Sequence, residues 1–206
     1  MSDCTANRQH IRQVKRRTRR ALSAQQQTAA ARRFARLAVQ HPLIQHARHI
    51  ALYLPNDGEL DPRPLMRNLW QRGHICYLPV LSKTRYRQLV FRPYYPHSLL
   101  SPNYLGIPEP RAVKTVTGAA LDAVLMPLVA FDEQGNRLGM GGGFYDRTFA
   151  QRWCRPHLIG VAHAFQAEAA LPYASWDVPL RAVVTDRRTH TFRPFTIHGA
   201  PSICRQ

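Results

Sequence analysis

Short apolar runs alternate along the chain with segments that have helical periodicity. The runs that predict strands are residues 49–54, 75–80, 89–92, 122–126, 157–162 and 182–185. The segment between the first two runs, 65–72, has the apolar spacing of a helix. A strand, a helix and a second strand over this distance predict a βαβ unit, and therefore a parallel sheet.

Two helices are predicted ahead of the first strand. Residues 8–22 form the first of them. Ser23 and Gln26 then have the spacing of a capping box, which marks the start of a new helix. This second helix is expected to run to about Gln40, where Pro42 ends it.

The alternation predicts an α/β fold: a single domain over residues 1–206, with a mainly parallel central sheet and helices on both faces, a Rossmann-like three-layer arrangement. A further helix is expected at 144–153, and the stretch from 93 to 112 is expected to be loop. Residues 1–7 and 187–206 show no partner pattern, so they are expected to be loose termini.

The sheet also predicts where a ligand binds. In open parallel sheets, ligands bind beyond the carboxyl ends of the strands. This rule places residues 54–59, residues 127–146 and the residues after Ala162 around one crevice.

The formal charge of +17 predicts attraction to polyanions such as nucleic acid, phosphorylated metabolites or polyglutamate tails. Basic residues crowd the segment 8–20, where a charge run usually forms a solvated helix face. Binding of nucleic acid is therefore an open alternative. Against it, the sequence contains no recognisable reader motif, and its aromatic residues are not interleaved with the basic run.

No apolar run approaches the length of a membrane span, and residues 1–20 lack the apolar core of a signal peptide. We therefore expect a cytoplasmic protein that does not enter a membrane. The cysteines show no C-x-x-C pair or metal-ligand spacing, so all four are expected to be reduced and non-catalytic: Cys4, Cys76, Cys154 and Cys204.

The most informative stretch is residues 131–147, FDEQGNRLGMGGGFYDR, between a predicted strand and a predicted helix. Its glycines tolerate positive φ and let backbone N–H groups approach an anion closely. Arg137 and Arg147 supply planar cationic donors for phosphate, and Asp146 supplies the hard oxygen that Mg²⁺ needs. The stretch matches neither the P-loop nor the dinucleotide fingerprint, so a tight glycine turn without a ligand is the open alternative.

Residues 127–132 and 135–147 resemble the signature of the 5-formyltetrahydrofolate cyclo-ligase family. Residues 54–61, LPNDGELD, are similar to the family's substrate loop, and residues 176–180, WDVPL, to its late acidic segment. The resemblance covers roughly residues 8 to 186. It implies ATP- and Mg²⁺-dependent cyclisation of 5-formyltetrahydrofolate to 5,10-methenyltetrahydrofolate, through phosphorylation of the formyl oxygen.

The resemblance also implies a set of site residues. Arg137 and Glu59 would be catalytic, and Asp146 and Asp177 would bind Mg²⁺. The residues implied in ATP binding are Arg8, Arg12, Arg137, Leu138, Gly139, Met140, Gly141, Gly142, Gly143, Phe144 and Tyr145. Those implied in binding the folate are Leu54, Glu59, Met140, Gly141, Gly142, Gly143 and Phe144. The partners would be ATP and the folate, with or without a polyglutamate tail, bound by a monomer.

The sequence departs from the family pattern at two positions. Arg8 stands where relatives commonly have Lys, which keeps the charge and changes the reach. Gly142 stands where many relatives have Lys, which removes a contact to phosphate and puts affinity in doubt.

Structural or solvent-exposed roles, without contact to a ligand, stay open for several residues. Asp177 could cap a turn near Pro179, and Glu59 could be a solvated loop acid whose place Asp57 or Asp61 takes. The aromatic residues near the strand ends could stack on a ligand or belong to the core: Tyr53, Phe144 and Tyr145. His163 is expected in a core or surface role. A sugar-phosphate isomerase or acyl-CoA transferase on a similar sheet is a further alternative, although it needs a catalytic Glu or Lys beyond Glu59.

Overall fold

The computed structural model describes residues 2–82, 84, 86–104, 106–112, 114–150 and 156–192. Its helices are α1 (Ser2–Arg20), α2 (Ala24–Ala38), α3 (Pro42–Gln45), α4 (Arg63–Gln71) and α5 (Phe144–Phe149). Its strands are β1 (His49–Ala51), β2 (Ile75–Leu81), β3 (Leu89–Pro93), β4 (Leu100–Pro102), β5 (Pro108–Pro110), β6 (Ala123–Pro127), β7 (Ala130–Phe131), β8 (Arg137–Leu138), β9 (His157–Ala162), β10 (Ala182–Thr185) and β11 (Thr189–Thr191).

Seven of the strands form the central sheet, in the order β11-β10-β9-β6-β1-β2-β3. The five inner strands are mutually parallel, and the two edge strands, β3 and β11, run antiparallel to their neighbours. The predicted βαβ unit is β1-α4-β2, in which Ile50 pairs with Cys76. Because both its neighbours are parallel to it, β1 delivers its following loop to the same edge as β2 and β6.

Each face of the sheet carries its own apolar core. On one face α2 and α4 pack against alternate strand residues, with Phe34, Leu65 and Leu125 among the buried side chains. On the other face Phe149 of α5 packs with Phe91 and with residues from the loops that follow the strands. The predicted fold class, α/β with a mainly parallel sheet and helices on both faces, is confirmed.

The helix boundaries before the sheet follow local chemistry. The predicted capping box is present, since the Ser23 hydroxyl accepts from the Gln26 N–H and the Gln26 side chain accepts from the Ser23 N–H. The expected role of Pro42 is wrong. α2 ends at Ala38, and Pro42 is the first residue of α3, where its missing N–H and fixed φ are tolerated.

Three other boundaries need correction. The first strand ends at Ala51, so the extended residues 52–54 belong to the following loop. The expected loop between 93 and 112 contains the antiparallel pair β4–β5. The segment after Asp186 is not wholly loose, because β11 pairs with β10.

The expected loose N-terminus is also corrected, because α1 begins at Ser2. The predicted helix after residue 144 ends at Phe149, and residues 151–155 and 193–206 lie outside the described part of the chain, as do Cys154 and Cys204. Cys76 is buried and not disulfide-bonded. None of the helices in the described ranges is long and apolar enough to span a membrane.

Gly160 in β9 is required by close packing beneath the loops. A Cβ there would lie 2.6 Å from Leu128 Cδ2 and 2.7 Å from Leu180 Cδ1. We therefore expect Gly160→Ala to lower the free energy of unfolding by about 1–3 kcal/mol through overpacking. Urea denaturation measures this change.

Leu128→Ala provides the control for that packing argument. Alone it should cost about 2–5 kcal/mol by leaving a cavity. Combined with Gly160→Ala it should cost less than the sum of the two single changes, because the added methyl group enters the vacated space. Strict additivity would contradict the predicted clash with Leu128.

Candidate active site

A cavity of about 640 Å³ opens at the carboxyl edge of the parallel strands. Two loops dominate its wall: residues 54–59, which follow β1 and are named here the acidic loop, and residues 139–143, the glycine loop. The segment around Asp177 and the β4–β5 pair complete the rim. The crevice lies at the edge that the rule predicts, but the expectation that the residues directly after Ala162 surround it is wrong, because they do not line the cavity.

The glycine loop does not follow a strand directly, because a small hairpin comes first. β7 and β8 pair antiparallel, and the Asp132 carboxylate closes the turn between them by accepting from the N–H groups of Gln134 at 3.0 Å and Asn136 at 2.9 Å. Gly141 and Gly143 then adopt φ values of 100° and 65°, which side chains with a Cβ rarely take. The loop leads directly into α5.

Gly142 packs closely against the ring of Phe144. A Cβ at this position would lie 2.7 Å from Phe144 Cε2. The Gly142 carbonyl accepts a hydrogen bond from Arg147 Nη2. The glycine is therefore matched to this placement of Phe144, and a larger residue would require the ring to shift.

Arg137 forms the base of the glycine loop. Its side chain is buried, and its Nη2 donates to Asp146 Oδ1 at 2.5 Å. Its Nε is also buried and has no hydrogen-bond partner within the described protein. A buried guanidinium with an unmatched donor beside a cavity is suited to bind an anionic oxygen.

Asp177 caps a turn, which is one of the two roles that the sequence left open, and it also lies on the cavity wall. Its carboxylate accepts from the Ala174 N–H at 2.9 Å, which caps a turn, and it faces the cavity. Arg8 donates to both of its oxygens, at 2.8 and 3.3 Å.

Asp146 lies next to Asp177 in the folded chain, since Asp146 Oδ1 accepts from the N–H of Val178 at 3.1 Å. No group of three His, Cys, Asp or Glu side chains in the described ranges forms a metal cluster. Two carboxylates on the wall of one cavity nevertheless fit Mg²⁺, which takes one or two protein carboxylates when phosphate oxygens and water complete its shell.

Three arginines of α1 bind the acidic loop through Asp57. Asp57, at a φ of 52°, accepts hydrogen bonds from Arg16 at 2.8 Å, from Arg19 at 2.6 Å and from Arg20. Burial opposes ionisation of Asp57, but these three donors lower its pKa to about 2. Asp57 is thus engaged as an anchor, while Asp61 pairs with the exposed Arg63 and does not line the cavity.

Of the two acids in this loop, Glu59 has the weaker contacts with basic groups. Its Oε2 accepts from the Asn56 N–H at 3.1 Å, and its Oε1 lies 3.8 Å from Arg19 Nη2. Burial raises its pKa to about 7, against the opposing effect of Arg19. Burial, together with the charge of Glu59, also raises the pKa of Tyr53 and Tyr145.

The basic face of α1 points into the protein. The partly or fully buried residues of the helix follow a helical stripe: Arg8, Ile11, Arg12, Lys15, Arg16 and Arg19. Lys15 Nζ donates to the carbonyl of Phe165 at 2.8 Å and pairs with Glu168 at 2.6 Å. The expectation of a solvated basic face is wrong for this stripe, which weakens the charge-based argument for a nucleic-acid binder.

Most of the predicted site residues meet at the cavity. Those that line it are Arg8, Leu54, Glu59, Arg137, Gly139, Met140, Gly141, Gly142, Gly143, Phe144, Tyr145, Asp146 and Asp177. Arg12 lies behind the wall, where its Nε donates to the Gly139 carbonyl at 2.9 Å. Leu138 is buried in a small cluster with Ala130 and Leu171.

Comparison with known proteins agrees with this geometry. The sequence model of the 5-formyltetrahydrofolate cyclo-ligase family matches residues 4–186. The 5-formyltetrahydrofolate cyclo-ligase of Escherichia coli K12 is 45% identical over 174 residues, which cover 82% of this chain and 95% of that protein. The Haemophilus influenzae enzyme of the same name is 42% identical, with 85% and 96% covered.

The chain belongs to the 5-formyltetrahydrofolate cyclo-ligase family. Among solved structures, the 5,10-methenyltetrahydrofolate synthetase of Aquifex aeolicus superposes with a TM-score of 0.79 at 27% identity, covering 90% of this chain and 93% of that one. The Mycoplasma pneumoniae synthetase shares the fold with a TM-score of 0.68 at 23% identity, covering 87% and 99%. The predicted family and enzyme class, a cyclo-ligase of folate one-carbon metabolism, are confirmed.

Several residues at the cyclo-ligase cavity were not predicted as site residues. Trp176, 72% exposed, lines the rim next to Asp177. Asn103, Ile107 and Glu109 reach the cavity from the β4–β5 pair. Trp176 lies in a recognised segment and could have been found, whereas the β4–β5 stretch has no periodic pattern to indicate its place.

His163 has the predicted core role. It is buried, stacks on Phe165 with ring centroids 5.3 Å apart, and its Nε2 lies 3.3 Å from the Gly58 carbonyl. Burial lowers its pKa. It therefore supports the acidic loop and does not line the cavity.

The raised pKa of Glu59 predicts a pH-dependent stability. Between pH 4.5, its ordinary pKa, and about 7, the unfolded chain ionises this carboxyl while the folded chain keeps it protonated. Folded stability is thus lost as pH rises through this window. Glu59→Gln should lie within about 1 kcal/mol of the parent at pH 5 and exceed it at pH 8 by an amount on the order of a few kcal/mol.

Urea unfolding of both proteins at the two pH values measures this gain. The control is Glu133→Gln, which changes an exposed carboxyl on the β7–β8 turn and should shift stability little at either pH. An advantage of Glu59→Gln that is equal at pH 5 and pH 8 would disprove the assigned titration.

Proposed function

We propose that the protein uses Mg²⁺ and ATP to cyclise 5-formyltetrahydrofolate to 5,10-methenyltetrahydrofolate, releasing ADP and phosphate. The observation that carries the proposal is the single cavity lined by both the glycine loop and the acidic loop, in a chain of this family. A nucleotide held by the first loop and a folate held by the second would lie within reach of each other.

The chemistry requires activation of a poor leaving group. The γ-phosphoryl group of ATP passes to the formyl oxygen, with cleavage of the bond to the β-phosphate oxygen. N10 of the folate then attacks the formyl carbon and loses its proton, and the carbon–oxygen bond breaks to release phosphate. The protein's tasks are to position the two substrates and to neutralise charge on the transferred group.

Arg137 is suited to the phosphoryl side of this reaction. Its buried Nε has no partner in the described protein, and its fixed charge can stabilise negative charge that develops on the transferred oxygens. The backbone of the glycine loop can approach phosphate closely because four of its five residues lack a Cβ on the cavity wall: Gly139, Gly141, Gly142 and Gly143. Arg12 supports this loop from behind through the Gly139 carbonyl.

Asp146 and Asp177 would hold Mg²⁺, with phosphate oxygens and water as the other ligands. When bound, the ion would neutralise charge on the phosphate chain and orient it. The present partners of the two carboxylates are Arg137 and Arg8, whose guanidinium groups are themselves suited to phosphate oxygens.

Glu59 supports the assignment of the acidic loop to the folate. With a pKa of about 7, its carboxyl can accept or donate a hydrogen bond near neutral pH, which suits the mixed donors and acceptors of a pterin. Leu54 and Phe144 supply apolar wall for the ring system. A monomeric state, a cytoplasmic location and acceptance of a polyglutamate tail stay predictions.

The test of this function is a direct assay. The purified protein, given ATP, Mg²⁺ and 5-formyltetrahydrofolate, should produce the absorbance of the methenyl product. Omission of ATP or chelation of the metal with EDTA should abolish the signal. Absence of product in the complete mixture, or product formed without ATP, would refute the proposal.

Asp146→Asn tests the metal assignment. The amide keeps the shape of the side chain but removes the charge, so we expect kcat to fall at least about a hundredfold with the fold intact. The control is Asp61→Asn, which removes a carboxylate that pairs with Arg63 outside the cavity and should leave kcat near that of the parent. Near-normal turnover of Asp146→Asn would remove Asp146 from the metal site.

A further inference from the structure

One buried side chain touches the acidic loop and the glycine loop at the same time. Arg19 lies in the last turn of α1 and has no solvent-exposed surface. Its Nε donates to the Asp57 carbonyl at 2.6 Å, and its Nη2 donates to Asp57 Oδ2 at 2.6 Å. The same Nη2 lies 3.8 Å from Glu59 Oε1, so the acidic loop is bonded to Arg19 through both its backbone and its carboxylates.

The same guanidinium also contacts the glycine loop, through the Nη2 that binds Asp57. Nη2 lies 3.6 Å from Met140 Sδ, and Nη1 lies 3.5 Å from the carbonyl of Leu128, just after β6. Met140 is half exposed and lines the cavity, as Glu59 does. A planar and rigid group therefore bridges the two walls of the cavity from behind, where water does not compete for its hydrogen bonds.

We propose that Arg19 is a positioning residue that couples the two loops, so that a folate on the acidic loop strengthens nucleotide binding at the glycine loop, and the reverse. The inference rests on the proposed function, which assigns one ligand to each loop. A ligand that fixes Glu59 restrains the guanidinium, and the guanidinium in turn restrains Met140. The second ligand then has to order less of the protein when it binds, so it binds more tightly. Thermodynamic linkage requires that each ligand strengthens the binding of the other by the same factor.

The rest of α1 supplies a matched comparison. Arg12 and Arg16 each hold one of the two loops, whereas Lys15 contacts the segment 165–168, which does not line the cavity. A change at Lys15 therefore weakens the docking of the same helix without breaking the bridge between the loops.

The experiment measures coupling directly by isothermal titration calorimetry on the full chain. The Kd of adenylyl imidodiphosphate with Mg²⁺ is determined without folate and with saturating 5-formyltetrahydrofolate, and the ratio of the two values is the coupling factor. For the parent protein we expect a factor of about ten, within the usual range for linked sites.

Arg19→Lys keeps the charge but loses the planar fork, so its coupling factor should fall to about two or less. Met140→Ala, at a half-exposed position that tolerates truncation, should lower the factor in the same direction without unfolding the protein. Lys15→Gln should keep the factor of the parent even where its Tm falls. A merely structural role for Arg19 would lower Tm and leave the coupling factor unchanged.

Three results separate the possible failures. A parent protein that binds both ligands with a factor near one would overturn the coupling proposal. Folded Arg19→Lys or Met140→Ala with the parent's factor would overturn the role of the bridge. A parent protein that binds neither ligand would instead refute the proposed function on which the inference rests.

Discussion

The contact between Arg19 and Asp57 is the interaction on which the arrangement of the cavity depends. It joins the end of the first helix to the loop that follows the first strand. The Arg19 side chain has no exposed surface, and the Asp57 side chain is 12% exposed. A buried ion pair of this kind is tolerated only when further hydrogen bonds satisfy both partners. Asp57 meets that condition with donors from Arg16 and Arg20, and Arg19 meets it with the Asp57 and Leu128 carbonyls.

The distribution of charge follows from this arrangement. The chain has 29 lysines and arginines and only 12 acidic residues, and several of those acids bind the basic stripe of α1. Asp177 pairs with Arg8, and Glu168 pairs with Lys15. Hydrogen bonds and ion pairs therefore attach this helix to the rest of the fold, whereas most amphipathic helices pack through an apolar stripe. The excess of positive charge that remains favours the approach of anionic substrates such as ATP.

The sequence allows much of this site to be predicted, for reasons that are local. Apolar runs such as 157–162 and 182–185 coincide with their strands, because buried parallel strands need continuous apolar sequence. Parallel strands then bring their carboxyl ends together, so the crevice follows from topology alone. The glycine loop was found from its composition, although the β7–β8 hairpin that precedes it was not.

The features that could not be predicted are contacts between residues that are distant in the chain. Arg8 and Asp177 are 169 positions apart, and neither residue alone indicates the other. The basic positions 8, 12, 15, 16 and 19 do have helical spacing, but the same spacing suits a solvated face. β11 was missed for a related reason, since a three-residue edge strand is specified by its neighbour and not by its own pattern.

The pKa of Glu59 is affected by the contact between Arg19 and Asp57. A carboxylate 3.8 Å from a buried guanidinium would ordinarily stay ionised, yet burial raises the pKa of Glu59 to about 7. The main cause is the loss of water around Glu59, which outweighs the attraction of Arg19. Asp57 takes the close contact with Arg19 at 2.6 Å and neutralises much of its charge. Glu59 receives only the weaker, more distant attraction, which does not compensate for its loss of water. The charge of Asp57 raises the pKa of Glu59 in the same direction as burial, so the acid that holds the loop in place also favours the protonated form of its neighbour.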